Sequence, residues 1–341
     1  MILLLENWNT SNKLQVISLK MKSLYCLIAL FVGLLSLSSC NGSNEDLKSK
    51  LLPQISEAYK NGKWEQVIQL TDSLRNNGIS YTDYIGDKGF DVAYCEALIA
   101  SGQADKAVAE IIHHISTVNP QDFYAYHTLG VAYSELNDTV KAIDSYNNSI
   151  RVNPGYARPY IHLAHIYAKK DAEKCMDNYS KAIQLFGNHE MYDEVLKFGF
   201  ESWEVDSTNT IILKYMGDAC FAKEDLQNAK NLYGRVLTDA GNKGSAVPQV
   251  LFESDYQLAL INYIEGNYKE SYSLLEIIYA NENGFPKNSN SVLFGAYILG
   301  AAATHKMDEP IVSQKLMDLA NDIDNEAAKG HYEYFLSIRN K

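Results

Sequence analysis

A chain of 341 residues can hold one large core, two domains or a repeat array, and 46% hydrophobic against 21% charged residues excludes a disordered segment. Its formal net charge is −12, and removing the first 39 residues, which carry Lys13, Lys20 and Lys22 against Glu6, leaves a body at −14. No long basic cluster offsets that charge, so phosphate backbones and anionic lipid surfaces are repelled; nucleic acid is excluded as a partner, and any membrane attachment must be apolar or covalent.

Residues 1–20, MILLLENWNTSNKLQVISLK, form neither a positively charged leader nor a domain, and are read as a mis-assigned extension with Met21 as the true start. From Met21 the chain runs through Lys22 and the apolar stretch Leu24 to Leu37, of signal-peptide length and too short for a comfortable membrane span. Leu37-Ser38-Ser39-Cys40 then resembles a bacterial lipobox: an aliphatic residue, two small residues and a thiol. The resemblance implies a signal peptide over 21–39, cleavage before Cys40 and acylation of Cys40 with diacylglycerol and a further chain such as palmitate. Several acyl chains suffice for stable anchoring, which places the protein in the bacterial cell envelope as an outer-membrane lipoprotein, on its periplasmic face or at the cell surface. Residues 40–47 are read as a polar tether.

Downstream, the chain repeats itself. KNGKWEQVIQL, around Gly62 and Trp64, has the bend and second helix of a first unit, and Cys95, Gly102 and Ala107 mark the next. In YHTLGVAYSELNDTVKAIDSYNNSIRVNP, Tyr126, Leu129, Gly130 and Tyr133 precede Ala142, Tyr146 and Pro154; Pro120 and Pro154 stand 34 residues apart. Tyr160, Leu163, Ala164, Tyr167, Cys175 and Tyr179 repeat this, one residue short between the halves. Leu213, Met216, Gly217, Cys220, Ala229 and Tyr233 give another clear unit, Leu258, Ala259, Gly266 and Tyr268 a weaker one, and a last runs through Leu299-Gly300. Apolar residues recur at helical spacing within each half, small residues mark close helix approach, and Gly and Asn mark turns.

This pattern resembles the tetratricopeptide repeat, W-x2-L-G-x2-Y followed by A-x3-F and P, with aromatics of similar volume substituted. The resemblance implies an all-α fold: a right-handed α-solenoid of antiparallel helix pairs, about seven units over residues 48–341. One region does not fit. Ala164 to Gly217 is 53 residues, neither one period nor two, so 187–209 is expected to hold a compressed unit or an odd helix. NENGFPKNSNS, Asn281 to Ser291, is expected to be a loop.

No catalytic constellation emerges: there is no G-x-G-x-x-G, P-loop or G-x-S-x-G. His189-Glu190 opens HEMYD, but a zinc-protease helix needs His where Asp193 stands, and a capped helix start after Gly187-Asn188 is expected instead. Cys95, Cys175 and Cys220 fall on motif positions that take small buried residues and read as core thiols. His162 and His165 are three apart on one helix, with His127 one unit earlier, and no carboxylate or Cys completes a metal set. The chain is therefore read as a non-enzyme with no cofactor and no metal.

In the family, first helices line the binding groove. Mapping by spacing puts Tyr124, His127 and Glu135 there, then Arg158, His165 and Lys169, then Lys214, Asp218 and Phe221. The family's Lys/Asn carboxylate clamp is missing: His127 and Ile161 take one of its positions, Val131 and His165 the other. Arg158, Lys169 and Lys214 give local positive charge, so the expected ligand is a protein or peptide segment carrying acidic groups and an apolar anchor. The expected function is a membrane-anchored, non-catalytic scaffold or adaptor at the envelope. The alternative is a glycan-binding surface lipoprotein of the starch-utilisation type, supported by the Tyr and Trp content.

Overall fold

The computed structural model describes residues 45–78, 84–85, 88–243, 248–281 and 290–338. Residues 1–44, with the signal segment and Cys40, and most of the expected loop between Asn281 and Ser291 lie outside the described residues. Fifteen helices account for nearly all of what is described. They are α1 (45–60), α2 (Trp64–Asn76), α3 (Phe90–Ala100), α4 (Ala104–Thr117), α5 (Phe123–Glu135), α6 (Thr139–Val152), α7 (Arg158–Tyr167) and α8 (Ala172–Asn188). There follow α9 (Tyr192–Ser202), α10 (Thr210–Ala222), α11 (Leu226–Lys243), α12 (Pro248–Ile264), α13 (Tyr268–Ala280), α14 (Asn290–Lys306) and α15 (Pro310–Ser337). A two-residue antiparallel ladder, Tyr84 with Gly89 and Ile85 with Lys88, precedes α3. The fold is thus the expected α-solenoid of antiparallel helix pairs. Helix α1 begins at residue 45, inside the segment read as tether; Glu45 and Asp46 favour the positive end of the helix dipole.

The chain divides into two compact units at Ala142/Ile143, within α6. In the first, Leu51, Ile55, Val67 and Leu74 form one core with Ala93 and Ala97, and Tyr94, Cys95, Leu98, Ile111 and Leu129 form the next. In the second, a core from Ala157 to Ile261 is followed by one from Ala259 to Phe335. Serial cores of this kind follow from units that cannot bury an apolar face alone. Asp122, Asp171 and Asn209 cap α5, α8 and α10, each accepting from a backbone N–H three residues on at 3.0–3.1 Å. Helix α15 breaks at Asp324 (φ −153°), whose carboxylate then caps the following turn at Ala327 N.

The irregular region has a definite solution. Left-handed residues sit in the tight turns after α1, α3 and α5 at Gly62, Gly102 and Asn137, each leading directly into the second helix of its pair; a further one, Gly78, follows α2 at the end of the first pair. Further on they follow α8, α10, α12 and α14, at Glu190, Glu224, Gly266 and Asp308. The change of parity happens at α8. Ile183 stands 19 residues after Ala164 and 34 before Gly217; Phe186 and Cys220, Glu190 and Glu224, and Val195 and Ala229 are each also 34 apart. Helix α8 therefore serves twice, as second helix to α7 and as first helix to α9. Packing agrees: α8 meets α10, α10 meets α12 and α12 meets α14 in the second unit, whereas α3 meets α5 in the first. Gly199 and Gly217 let α9 and α11 pack closely on α10, since a Cβ at Gly199 would stand 2.5 Å from Met216 Sδ and one at Gly217 2.7 Å from the Tyr233 ring. His189 and Glu190 belong to the α8–α9 turn rather than to a capped helix start; Met191 precedes α9 and makes no side-chain cap.

Candidate functional site

On α10 a helical period of four brings Lys214 and Asp218 onto one face, with Phe221 and Ala222 a turn further on. On α12, Glu253, Tyr256 and Gln257 share a face by the same rule. Together with Tyr192 at the start of α9, Tyr233 of α11, and Ser291 and Val292 at the start of α14, these residues line a cleft of about 430 Å³. The cleft sits where α10, α12 and α14 succeed one another, as the parity change at α8 requires.

Lys214 Nζ lies 2.9 Å from Asp218 Oδ2 and 2.7 Å from Glu253 Oε2, and 4.5 Å from the centre of the Tyr215 ring. Its side chain is only 13% exposed. Burial opposes its charge, but the two carboxylates outweigh burial and hold the ammonium above its ordinary value. The Tyr233 hydroxyl donates to Asp218 Oδ1 at 2.7 Å, and Gln249 donates to Glu253 Oε1 at 2.8 Å. Burial raises the Asp218 carboxyl above the usual carboxylate range despite the bonds from Lys214 and Tyr233. Burial also pushes the Tyr256 phenol up to about 12, so it stays neutral at pH 7. Gln257 Oε1 is buried with no hydrogen-bond partner.

Of the residues mapped by spacing, the structure gathers Lys214, Asp218 and Phe221 here. Arg158 instead lines a separate cleft of about 320 Å³ with Phe186 of α8 and Asp193, Glu194, Lys197 and Phe198 of α9. His165 pairs with Glu201 of α9 at 3.2 Å, and Lys169 is exposed beyond the end of α7. Within the groove expected from Tyr124 to Phe221, Arg158 and Lys214 therefore line two separate surfaces, because α7 and α10 lie on opposite sides of the parity change. In the first unit Glu135 is exposed and Tyr124 half-buried against Phe123, but His127 is 6% exposed. Helix α5 packs against both α3 and α4, and its wide buried arc takes His127 out of reach of a ligand.

Spacing missed Tyr192, Tyr233, Glu253, Tyr256 and Gln257. The i, i+3, i+4 pattern at 253, 256 and 257 was the available signal. His162 stacks on Tyr146 at 5.0 Å, and burial pushes its imidazole down to about 4, so it is neutral at pH 7. Cys95, Cys175 and Cys220 are buried free thiols, as expected. Among the described residues no cluster of three or more His, Cys, Asp or Glu has metal-holding geometry, and no helix is long and apolar enough to cross a membrane.

No family model matches the chain. It is similar to a TPR repeat-containing protein, MJ1428 of Methanocaldococcus jannaschii, at 25% identity over 281 aligned positions, covering 76% of this chain and 45% of that protein. The chain thus spans less than half the length of that relative. Among solved structures it aligns with BtubC of P. vanneervenii (TM-score 0.42, 15% identity, 69% of this chain and 92% of that one). It also aligns with the Cut9–Hcn1 complex (0.39, 14%, 80% and 53%) and with YrrB, a TPR protein with an unusual peptide-binding site (0.37, 16%, 65% and 97%).

Proposed function

We propose that this protein is a non-catalytic scaffold of the bacterial cell envelope, held in the outer membrane through acyl chains on Cys40, that binds a protein or peptide segment in the cleft between α10, α12 and α14. One observation carries the reading: successive first helices of a tetratricopeptide-like array present charged and aromatic side chains around one open cleft, where a peptide has both an anchoring wall and polar partners. The charged groups there are tied to one another and hold no nucleophile–base pair.

A photo-crosslinking residue at Phe221 is expected to capture a discrete protein from native membranes, while the same residue at Lys269, exposed on α13, is not. Identical adducts from both positions, or none from Phe221, would count against the cleft as the partner site. Anchoring has its own test. The Cys40→Ala variant is expected to lose palmitate labelling and to leave the membrane fraction. A variant that still labels and still sediments with membranes would remove the lipid anchor from the proposal.

A further inference from the structure

The cleft carries more acid than base. Among the described residues that line it, Lys214 is the one cation, and two carboxylates within 3 Å, Asp218 and Glu253, share it. Each of the four carboxylate oxygens accepts one contact, from Lys214, Tyr233 or Gln249, and keeps a further acceptor site, and Gln257 Oε1 is unpartnered. An incoming carboxylate would have to draw Lys214 away from ion pairs already made in a partly desolvated place, where charge–charge contacts are stronger than in water. An incoming cation meets the opposite situation. It finds a net negative site within a chain of net charge −12, carboxylate oxygens that can each accept a second bond, and the aromatic side chains of Tyr192, Phe221 and Tyr256 in the lining for cation–π contact.

We propose that the cleft between α10, α12 and α14 takes a Lys or Arg side chain of a peptide segment whose neighbouring residues are apolar, and discriminates against the acidic segment that Lys214 alone suggests. This rests on the reading that the cleft is the partner site. Of the two bases Arg fits better, because its planar, weakly hydrated guanidinium can bond a carboxylate and stack on an aromatic ring together. The same cleft rejects Asp and Glu by repulsion from Glu253 and Asp218, which makes charge the selective element and the aromatic wall the anchor.

The test is selection of a random dodecapeptide library on the full chain, followed by affinity measurement on the selected synthetic peptides. Enrichment of Arg or Lys next to Leu, Phe, Tyr or Trp is expected. Glu253→Gln should weaken those peptides about tenfold. Because Glu253 also holds Lys214, a second variant is needed that leaves the network intact: Ser291→Arg, at an exposed rim position, should weaken them at least ~fivefold by charge repulsion, with unchanged melting. Exposed Lys169→Ala should change nothing. Enrichment of Asp or Glu, or basic peptides indifferent to Ser291→Arg, would overturn the charge preference and leave the scaffold reading standing. Failure of any peptide to enrich, together with no Phe221 crosslink, would overturn both.

Discussion

Replacing Ala229 with Arg is expected to cost at least ~4 kcal/mol and to unfold the helices around α11 first. Ala229 has no exposed surface, and its neighbours in the same core include Met216, Cys220, Tyr233 and Ile261. The small side chain is what lets α10 and α11 approach, with the Tyr233 ring lying where a Cβ on Gly217 would be. Forcing extra atoms into such a contact costs about 1–3 kcal/mol by overpacking alone. A guanidinium buried without a partner adds several kcal/mol more, and snorkelling is blocked where the position faces a neighbouring helix. The sum is a large share of the ~5–15 kcal/mol that holds a typical domain. In a repeat array the loss stays local at first, so hydrogen exchange should show lost protection in α10 and α11 before the first unit is affected. Ala280→Arg, at an exposed position on α13, is the control and should stay within about 0.5 kcal/mol of wild type. An Ala229→Arg protein that melts with the wild type would mean that this helix contact is not close.

Ala229 was legible in the sequence because a small residue that recurs at a fixed helical period marks a close helix contact. The same holds for Ala142 and Cys220, which sit in the core where the motif places them. Helix α8 was not legible. Its second role is written in substituted residues, with Ile183 at the small position and Glu190 at the left-handed turn, so the period of 34 is kept while the letters that announce it are lost. Missing that helix moved Arg158 and Lys214 into one groove. The charge of the cleft was half legible: Asp218 is four residues from Lys214 and falls on the same helical face, but Glu253 comes from the next pair and its approach depends on how α10 meets α12. A lysine counted as a positive spot therefore became the buried centre of an acidic cluster. His127 failed for a related reason, since spacing along one helix says which residues share a face but not how many neighbours cover it.

Raising the pH from about 6.5 to 9 is expected to remove on the order of 3 kcal/mol of stability from the first unit, through His114. Near the end of α4, His114 Nε2 lies 3.0 Å from Asp122 Oδ2 and Nδ1 lies 3.2 Å from Asp91 Oδ2, with the side chain 8% exposed. Only the doubly protonated ring can donate to both. Asp122, then Asp91, push the imidazole up to about 9 against the opposing effect of burial. The other charges in this network are Arg75, 3.9 Å from Asp91 and 2.7 Å from Glu110, and Glu110 itself. The folded value lies above the ordinary 6.5, so the stabilisation is fully present below about pH 6.5 and is lost as pH rises through about 9. Asp122 works at the other end. Burial raises its carboxyl, but the bonds from His114 and from Ala125 N–H outweigh burial and hold it below the usual value, so its contribution fades only in acid, below about pH 4. The measurement is exchange protection of the α3–α5 amides at pH 6 and pH 9, corrected for intrinsic exchange, in the wild type and in His114→Gln. The wild type should lose protection over that range and the variant should not. The variant should already be weaker by about 3 kcal/mol at pH 6, because Asp91 then keeps Arg75 at 3.9 Å and Asp122 its backbone cap bond from Ala125, and neither keeps the imidazolium. Equal pH slopes in the two proteins would show that the imidazolium is not what joins α3, α4 and the cap of α5.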